Sequence, residues 1–273
     1  MCNCQFIANE MSALGWTVEE DAFEQNTVVG LRPFTNVIAT LDANAPRRMV
    51  IACHFDSKQT PQGFLGATDS AVPCAQMINL AHTMKPELDE LKRKGSDLTL
   101  QFIFFDGEEA FKQWSATDSL YGSRHLANKW ANSGYVHNGV QGTELDRIDV
   151  FMLWDLLGAR NPQITSSHKN TEPWFKRLVD IESALDQRGL TRAQGGPFFK
   201  LPSGFAALFG SSIDDDHKPF EKRGVPIIHV ISSPFPSVWH TINDDASAID
   251  RATVQKLNMI FRIFVSEYLE LDE

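Results

Sequence analysis

The strongest constraint on the fold of this chain is a series of short apolar runs that have the length of β-strands and alternate with amphipathic helical patterns. The first run alternates between apolar and polar residues, whereas the later ones are almost continuously apolar, as in strands buried on both faces. The runs cover residues 16–23, 35–41, 48–53, 98–105, 148–154 and 226–231. Strands that alternate with helices predict an α/β sandwich, with helices on both sides of a mostly parallel sheet.

Helical patterns occupy several of the intervals between these runs. Apolar residues recur at helical spacing in residues 70–84, 119–131, 171–189 and 250–269. The chain also begins inside such a pattern, which ends at Gly15, so an upstream helical segment is expected to be missing. The basic triplet at residues 92–94 is predicted to be a solvated loop.

The composition is that of one domain and argues against some classes of partner. No Pro/Ser-rich linker, low-complexity tract or repeat divides the 273 residues, so residues 1–273 are predicted to form a single domain. A formal net charge of −10 argues against nucleic acid and against an anionic membrane surface as the main partner. No apolar run reaches the length of a membrane span. The four cysteines form no C-x-x-C pair, which argues against a structural zinc cluster.

Acidic and imidazole side chains lie at or near the ends of the predicted strands. They are His54, Asp56, Asp69, Asp106, Glu108, Glu109, Asp155, Asp215 and His240. Asp69 is predicted to stand at the start of the helix over 70–84. Because the carboxyl ends of parallel strands meet at one edge of a sheet, these groups are expected to converge on one site.

Each of these residues, taken alone, also has an ordinary structural interpretation. Asp69 can cap a helix, and Asp155 can belong to a turn at a strand end. Glu108 and Glu109 can be solvated acids in the first turn of a helix, and a lone His240 is more often a partly buried histidine. Convergence on one edge argues against these interpretations taken together, because clustered acids need a cation.

Carboxylates and imidazoles without thiolates predict a catalytic zinc ion that keeps an open coordination position. The neighbours Glu108 and Glu109 can then have different roles, one binding the metal and the other transferring a proton as general acid or base. Gly107, directly before them, gives the backbone the freedom to orient both side chains.

Several long motifs resemble the animal glutaminyl-peptide cyclotransferases. They are "ACHFDSK", "GATDSAVPC", "FIFFDGEEAF", "DSLYGSRHLA", "DDHKPF" and "SPFPSVWHT", and they follow one another in the order of that family from about residue 15 to residue 270. The family resembles the zinc aminopeptidases, which implies a three-layer fold with a mixed, mostly parallel central sheet between helices. The resemblance implies cyclisation of N-terminal glutaminyl residues of peptides, and slowly of glutamyl residues, to pyroglutamyl with release of ammonia.

The resemblance also implies three groups of site residues. One zinc ion per chain is expected on Asp69, Glu109 and His240. The catalytic residues are expected to be Glu108, as the proton shuttle, and the acidic pair Asp155 and Asp215. The substrate pocket is expected to be formed by Trp114, Ile213, Phe235 and Trp239. Asp214 departs from the family pattern, because a neutral amide is expected there beside the substrate's N-terminus.

Cys53 and Cys74 match positions that form a disulfide in this family. The bond implies an oxidising compartment, so the chain is expected to be secreted or in the secretory pathway, with a Golgi or mitochondrial form as the alternative. Two buried thiols are the other interpretation of this pair. The resemblance also implies a monomer that acts on peptides and proteins with N-terminal Gln.

Two other functions are compatible with the same sequence features. A two-zinc aminopeptidase would use His54 and Asp155 to complete a second metal site. A binding protein without activity could share the fold, but the full set of expected metal ligands argues against it.

Overall fold

A six-stranded sheet forms the middle layer of this computed structural model, which describes residues 3–166, 168–193, 195–202 and 213–271. In chain order, the strands of these residues are β1 (Thr17–Thr27), β2 (Gly30–Thr40), β3 (Arg47–His54), β4 (Leu98–Phe105), β5 (Gly134–His137), β6 (Val140–Thr143), β7 (Ile148–Asp155), β8 (Ile164–Thr165), β9 (Phe199–Lys200) and β10 (Ile227–Ile231). The central sheet has the order β1-β2-β4-β3-β7-β10. Its two pairings that involve β2 are antiparallel and the other three are parallel, as expected for a mixed, mostly parallel sheet.

Helices cover both faces of this sheet. They are α1 (Asn3–Ala13), α2 (Val72–Thr83), α3 (Lys85–Lys94), α4 (Tyr121–Ala131), α5 (Glu172–Gln187), α6 (Lys218–Glu221) and α7 (Arg251–Tyr268). The three-layer α/β fold that the sequence predicts is therefore confirmed. Among the residues that the structure describes, no helix combines the length and apolar character needed to cross a bilayer.

The two faces of β3 show why its sequence is apolar throughout. Met49 and Ile51 face the larger apolar core, to which α2, α5 and α7 contribute. Val50 and Ala52 face a second core, to which α4 contributes. All four side chains are fully buried, so alternation of apolar and polar residues would place a polar group in one of the two cores.

One local prediction was wrong. The basic triplet at residues 92–94 is the last turn of α3 and not a loop. Leu88 and Leu91 on the same helix are buried, and Gly95 ends it with φ of 69°. Basic residues in a last turn favour the helix through its dipole, which explains why a charged triplet does not interrupt it.

The start of α4 packs closely against the strand ends that carry the candidate site. A Cβ atom on Gly122 would lie 2.3 Å from Asn36 Oδ1 and 2.4 Å from the carbonyl oxygen of Asp106. In addition, Asn36 Nδ2 donates a hydrogen bond to the carbonyl of Gly122 over 3.2 Å. The missing side chain at Gly122 therefore permits this contact.

We expect Gly122→Ala to lower the free energy of unfolding by about 1–3 kcal/mol, because the added methyl group overpacks this contact. Chemical denaturation of the purified protein measures the change. Gly134→Ala is the matched control, because a Cβ at Gly134 meets no atom within 4 Å. Equal stability of the two variants would contradict the proposed close contact.

Candidate metal centre and active site

A cavity of about 460 Å³ opens where β3, β4, β7 and β10 end. The residues that line it are Lys58, Asp69, Glu108, Glu109, Trp114, Asp155, Leu156, Ile213, Asp214, Asp215, Ile231, Phe235, Trp239 and His240. This set includes all ten residues that the family resemblance assigns to metal binding, catalysis or the substrate pocket. The residues come from chain segments far apart in the sequence, and the parallel strands bring them together.

Three of these side chains form a compact group of metal donors. Donor atoms of Asp69, Glu109 and His240 all lie within 4.8 Å of one another. His240 Nε2 is 3.2 Å from Glu109 Oε1 and 3.4 Å from Asp69 Oδ2. Asp69 Oδ2 is buried and has no hydrogen-bond partner among the residues that the structure describes. Two carboxylates and one imidazole, with a carboxylate oxygen to spare, fit the donor set of a catalytic zinc ion.

The negative charges of the two carboxylates in this group also favour a bound cation. Burial raises the pKa of Asp69, but the imidazoles of His240 and His54 outweigh it and lower the pKa to about 2. Burial lowers the pKa of His240, but Asp69 and Glu109 outweigh it and raise the pKa to about 9. The carboxylates thus hold a positive charge beside them. A zinc ion can supply that charge while the imidazole binds it in the neutral form.

The sequence predicted Asp69 at the start of a regular helix, and this prediction was wrong. Asp69 lies in an irregular turn, Ala67–Ala71, with φ of −123° and ψ of 72°, and α2 begins only afterwards. Asp244 holds this turn, because its carboxylate accepts from Thr68 N over 2.8 Å and its carbonyl accepts from Ala67 N over 3.0 Å. Asp244 is not among the residues predicted from the sequence, and it is 176 residues from Thr68.

His240 has an uncommon backbone conformation for a residue with a side chain. Its φ is 56°, in the left-handed region that mainly glycine adopts. The imidazole stacks on the ring of Trp239, with centroids 3.8 Å apart and planes inclined by 20°. Phe64 packs against it edge-on, with centroids 6.1 Å apart. Backbone conformation and two aromatic rings therefore fix the direction of this imidazole.

A single side chain orients the two adjacent glutamates. The carboxylate of Asp56 accepts from the backbone N–H of Glu108 over 3.0 Å and from that of Glu109 over 3.1 Å. Gly107 has φ of 73°, which agrees with the conformational freedom expected there. The sequence places Asp56 after a predicted strand, but these two hydrogen bonds were not predicted from it. The signal available for it was an acid two residues after the end of β3.

Glu108 is buried among other acids. Burial raises the pKa of Glu108 well above its usual range; the charge of His54 opposes this rise, and the carboxylates of Asp215 and Glu109 add to it. Burial and Asp215 likewise raise the pKa of Asp155, to about 6, against the opposing effect of His54. Carboxyl groups with raised pKa values can take up and release a proton near neutral pH.

His54 and Asp155 lie beside the metal donors. His54 Nε2 is 3.1 Å from Asp69 Oδ1 and 3.4 Å from Asp155 Oδ1, while Nδ1 faces the carbonyl oxygen of Asp56 at 3.2 Å. Asp155 accepts hydrogen bonds from the Ser70 hydroxyl and from the backbone of the residue that follows it. Donor atoms of His54, Asp69 and Asp155 therefore also lie within 4.8 Å of one another, as the second site of a two-zinc enzyme would need.

Aromatic rings form the walls of the cavity. Phe235 and Trp239 pack with their centroids 4.9 Å apart, and Trp239 is 39% exposed. Trp114 is 38% exposed, and its indole Nε1 donates to Asp214 Oδ2 over 3.3 Å. The carboxylate at position 214 thus faces the cavity beside an indole that also lines it.

Comparison with known proteins identifies the family. Residues 36–265 match the family model described as peptidase family M28. A glutaminyl-peptide cyclotransferase of Drosophila melanogaster is 46% identical over 272 residues, which are 97% of this chain and 74% of that protein. The chain belongs to the glutaminyl-peptide cyclotransferase family. A glutaminyl-peptide cyclotransferase of Bos taurus is 46% identical over 265 residues, which are 94% of this chain and 72% of that protein.

A solved structure shows that this cyclotransferase family also shares the fold. The crystal structure of Macrostomum lignano glutaminyl cyclase superposes with a TM-score of 0.88 at 41% identity, and the match covers 98% of this chain and 82% of that one. The resemblance that the sequence motifs indicate is confirmed. The two-zinc aminopeptidase is not favoured, although M28 membership implies a metal cofactor, typically zinc.

The expected disulfide is present in this member of the cyclotransferase family. Cys53 lies in β3, one residue before the strand ends. It is bonded to Cys74 in α2, and both cysteines are buried. The bond closes a loop with a sequence separation of 21 residues that contains Asp69. It therefore ties a strand of the central sheet to the helix that follows the metal-donor turn.

We expect the double variant Cys53→Ala, Cys74→Ala to lose about 3 kcal/mol of unfolding free energy, because the open chain gains conformational freedom in the unfolded state. Denaturation by guanidinium chloride measures the loss. Peptide mapping without reductant should recover both cysteines in one cross-linked peptide. Free thiols at both positions would contradict the pairing.

Proposed function

We propose that the chain cyclises N-terminal glutaminyl residues of peptides, and slowly glutamyl residues, to pyroglutamyl with one zinc ion per chain. The observation that carries the proposal is the pairing of two adjacent acids in one cavity. Glu109 faces His240 within the donor group, whereas Glu108 is not one of those three donors. The names of the two relatives described above, both glutaminyl-peptide cyclotransferases, support the same reaction.

The donor set Asp69, Glu109 and His240 would hold the zinc, which supplies a Lewis acid for the side-chain amide carbonyl of the substrate. Glu108 takes a proton from the α-amino group as this nitrogen forms a bond to the amide carbon. The same carboxyl group then gives the proton to the amide nitrogen, whose bond to carbon breaks, and ammonia leaves. No nucleophile from the protein is needed, because the attacking amine belongs to the substrate.

The other cavity residues would position the substrate and exclude water. We assign Asp155 and Asp215 to the amide, because both carboxylates line the cavity beside Glu108. Trp114, Phe235 and Trp239 would enclose the glutaminyl side chain, with the backbone of Ile213 completing the pocket. Exclusion of water favours cyclisation over hydrolysis to glutamate.

One zinc per chain is proposed from the match of the site motifs to the glutaminyl-peptide cyclotransferases. We also propose that residues 1–273 act as one domain and as a monomer. The buried disulfide supports a place outside the cell or in the secretory pathway. The expected partners are peptides and proteins with N-terminal Gln.

The direct test compares two short peptides that differ only in their first residue. A Gln-initiated peptide should release ammonia and lose the corresponding mass, because its amide can be attacked by its own α-amine. A Leu-initiated peptide should stay intact. Removal of leucine without cyclisation of the Gln peptide would favour an aminopeptidase instead.

The roles of Glu108 and Glu109 can be distinguished by making the same substitution, glutamate to glutamine, at each position. Glu108→Gln should keep its zinc but lose turnover by roughly 10²-fold or more, because no carboxyl group remains to move the proton. Glu109→Gln should bind zinc more weakly, because a neutral amide replaces a carboxylate ligand. Metal analysis after dialysis, together with the ammonia assay, measures both. A Glu108→Gln enzyme with full turnover would refute the shuttle.

A further inference from the structure

A second group of metal donors lies away from the active-site cavity. His168, His217 and Glu221 each offer one ligand atom, and these atoms all lie within 4.8 Å of one another. His168 Nε2 is 3.0 Å from Glu221 Oε1. The rings of His168 and His217 meet edge to face, with centroids 5.5 Å apart. None of these three residues lines the active-site cavity.

The fold brings the three side chains together from two segments. His217 and Glu221 are four residues apart, at the start and at the end of α6, so they lie on the same side of one helical turn. His168 directly precedes a short helical turn, Lys169–Thr171, at the start of α5. The hydroxyl of Thr171 donates to the carbonyl of Ile227 in β10, which anchors this turn to the central sheet.

The imidazoles are in a suitable state for binding a metal. His217 is 1% exposed, and its Nδ1 has no hydrogen-bond partner among the described residues. Burial lowers the pKa of His217 well below its usual range, and burial also lowers the pKa of His168. The buried Nδ1 of His217 is therefore available as a metal ligand. Lys218 binds Glu221 Oε2 over 2.8 Å, which leaves Oε1 directed at His168.

We propose that His168, His217 and Glu221 form a second zinc site, separate from the catalytic donor group. Two imidazoles and one carboxylate are a donor set that zinc accepts, with the fourth position left for water. The side chain of Glu221 is 36% exposed, so an ion can reach the group from solvent. This site differs from the second site of a two-zinc aminopeptidase, which would use His54 and Asp155.

A neighbouring set of donors is a weaker candidate for the same ion. Asp215, His217 and His229 also lie within 4.8 Å of one another. However, Asp215 lines the active-site cavity, so this set is not separate from the proposed catalytic site. All three residues are almost completely buried, so an ion would have to lose its water without access from solvent.

Equilibrium dialysis of the metal-loaded protein against Zn²⁺, followed by metal analysis, tests the proposal. The parent protein should hold one zinc more per chain than His168→Ala. Glu221→Gln keeps the size of the side chain and should weaken binding of this additional zinc by roughly tenfold or more. His82→Ala is the matched control, because His82 pairs with Glu10 over 3.2 Å but belongs to no described group of three donors.

The same comparison in the Glu109→Gln background separates this site from the proposed catalytic one. The double variant Glu109→Gln, His168→Ala should hold one zinc per chain less than Glu109→Gln alone, regardless of how much zinc the catalytic donors bind. Equal zinc contents of the parent, His168→Ala and Glu221→Gln would overturn the second site. It would also be overturned if His229→Gln lost the additional zinc while His168→Ala kept it, because the ion would then lie on the inner donors.

Discussion

Repulsion between carboxylates in one buried cavity is the interaction on which the rest of this structure depends. Asp69, Glu108 and Glu109 are each at most 6% exposed, and all three line the same space. Charges buried so closely are tolerated only where cations and hydrogen-bond donors face them. His240 faces two of these acids, and Lys58 Nζ lies 3.3 Å from Glu109 Oε2. A metal cation fits this environment because its positive charge also compensates the buried carboxylates.

The scaffold around the acids is built from residues that do not belong to the metal-donor group. Asp56 holds the backbone of both glutamates, and Asp244 holds the turn that carries Asp69. The disulfide joins the strand before Asp56 to the helix after Asp69. Positions of the acids are thus set by backbone contacts and a covalent bond, which leaves the carboxylates available for chemistry.

Much of this arrangement could be predicted from the sequence, because it follows from periodicity. The apolar run at 98–105 coincides with β4, and acids directly after strands do converge at one edge of the sheet. The helix α3 was not predicted, because most of its residues are charged and only two leucines are buried, which gives a weak helical pattern of apolar residues. Asp244 could not be found, since its partner is far away in the sequence and no local pattern marks it. The His168 group was missed because His168 is far in the sequence from His217 and Glu221.

Trp239 and His240 are consecutive residues with stacked rings, so one turn of chain serves both the pocket wall and the metal-donor group. A change in the wall also changes the support of the imidazole. Under the proposed function, a change at Trp239 therefore affects both substrate preference and metal retention. Mutations that broaden the pocket are more readily accommodated at Trp114, which lines the same cavity but stacks on no donor side chain among the described ring pairs.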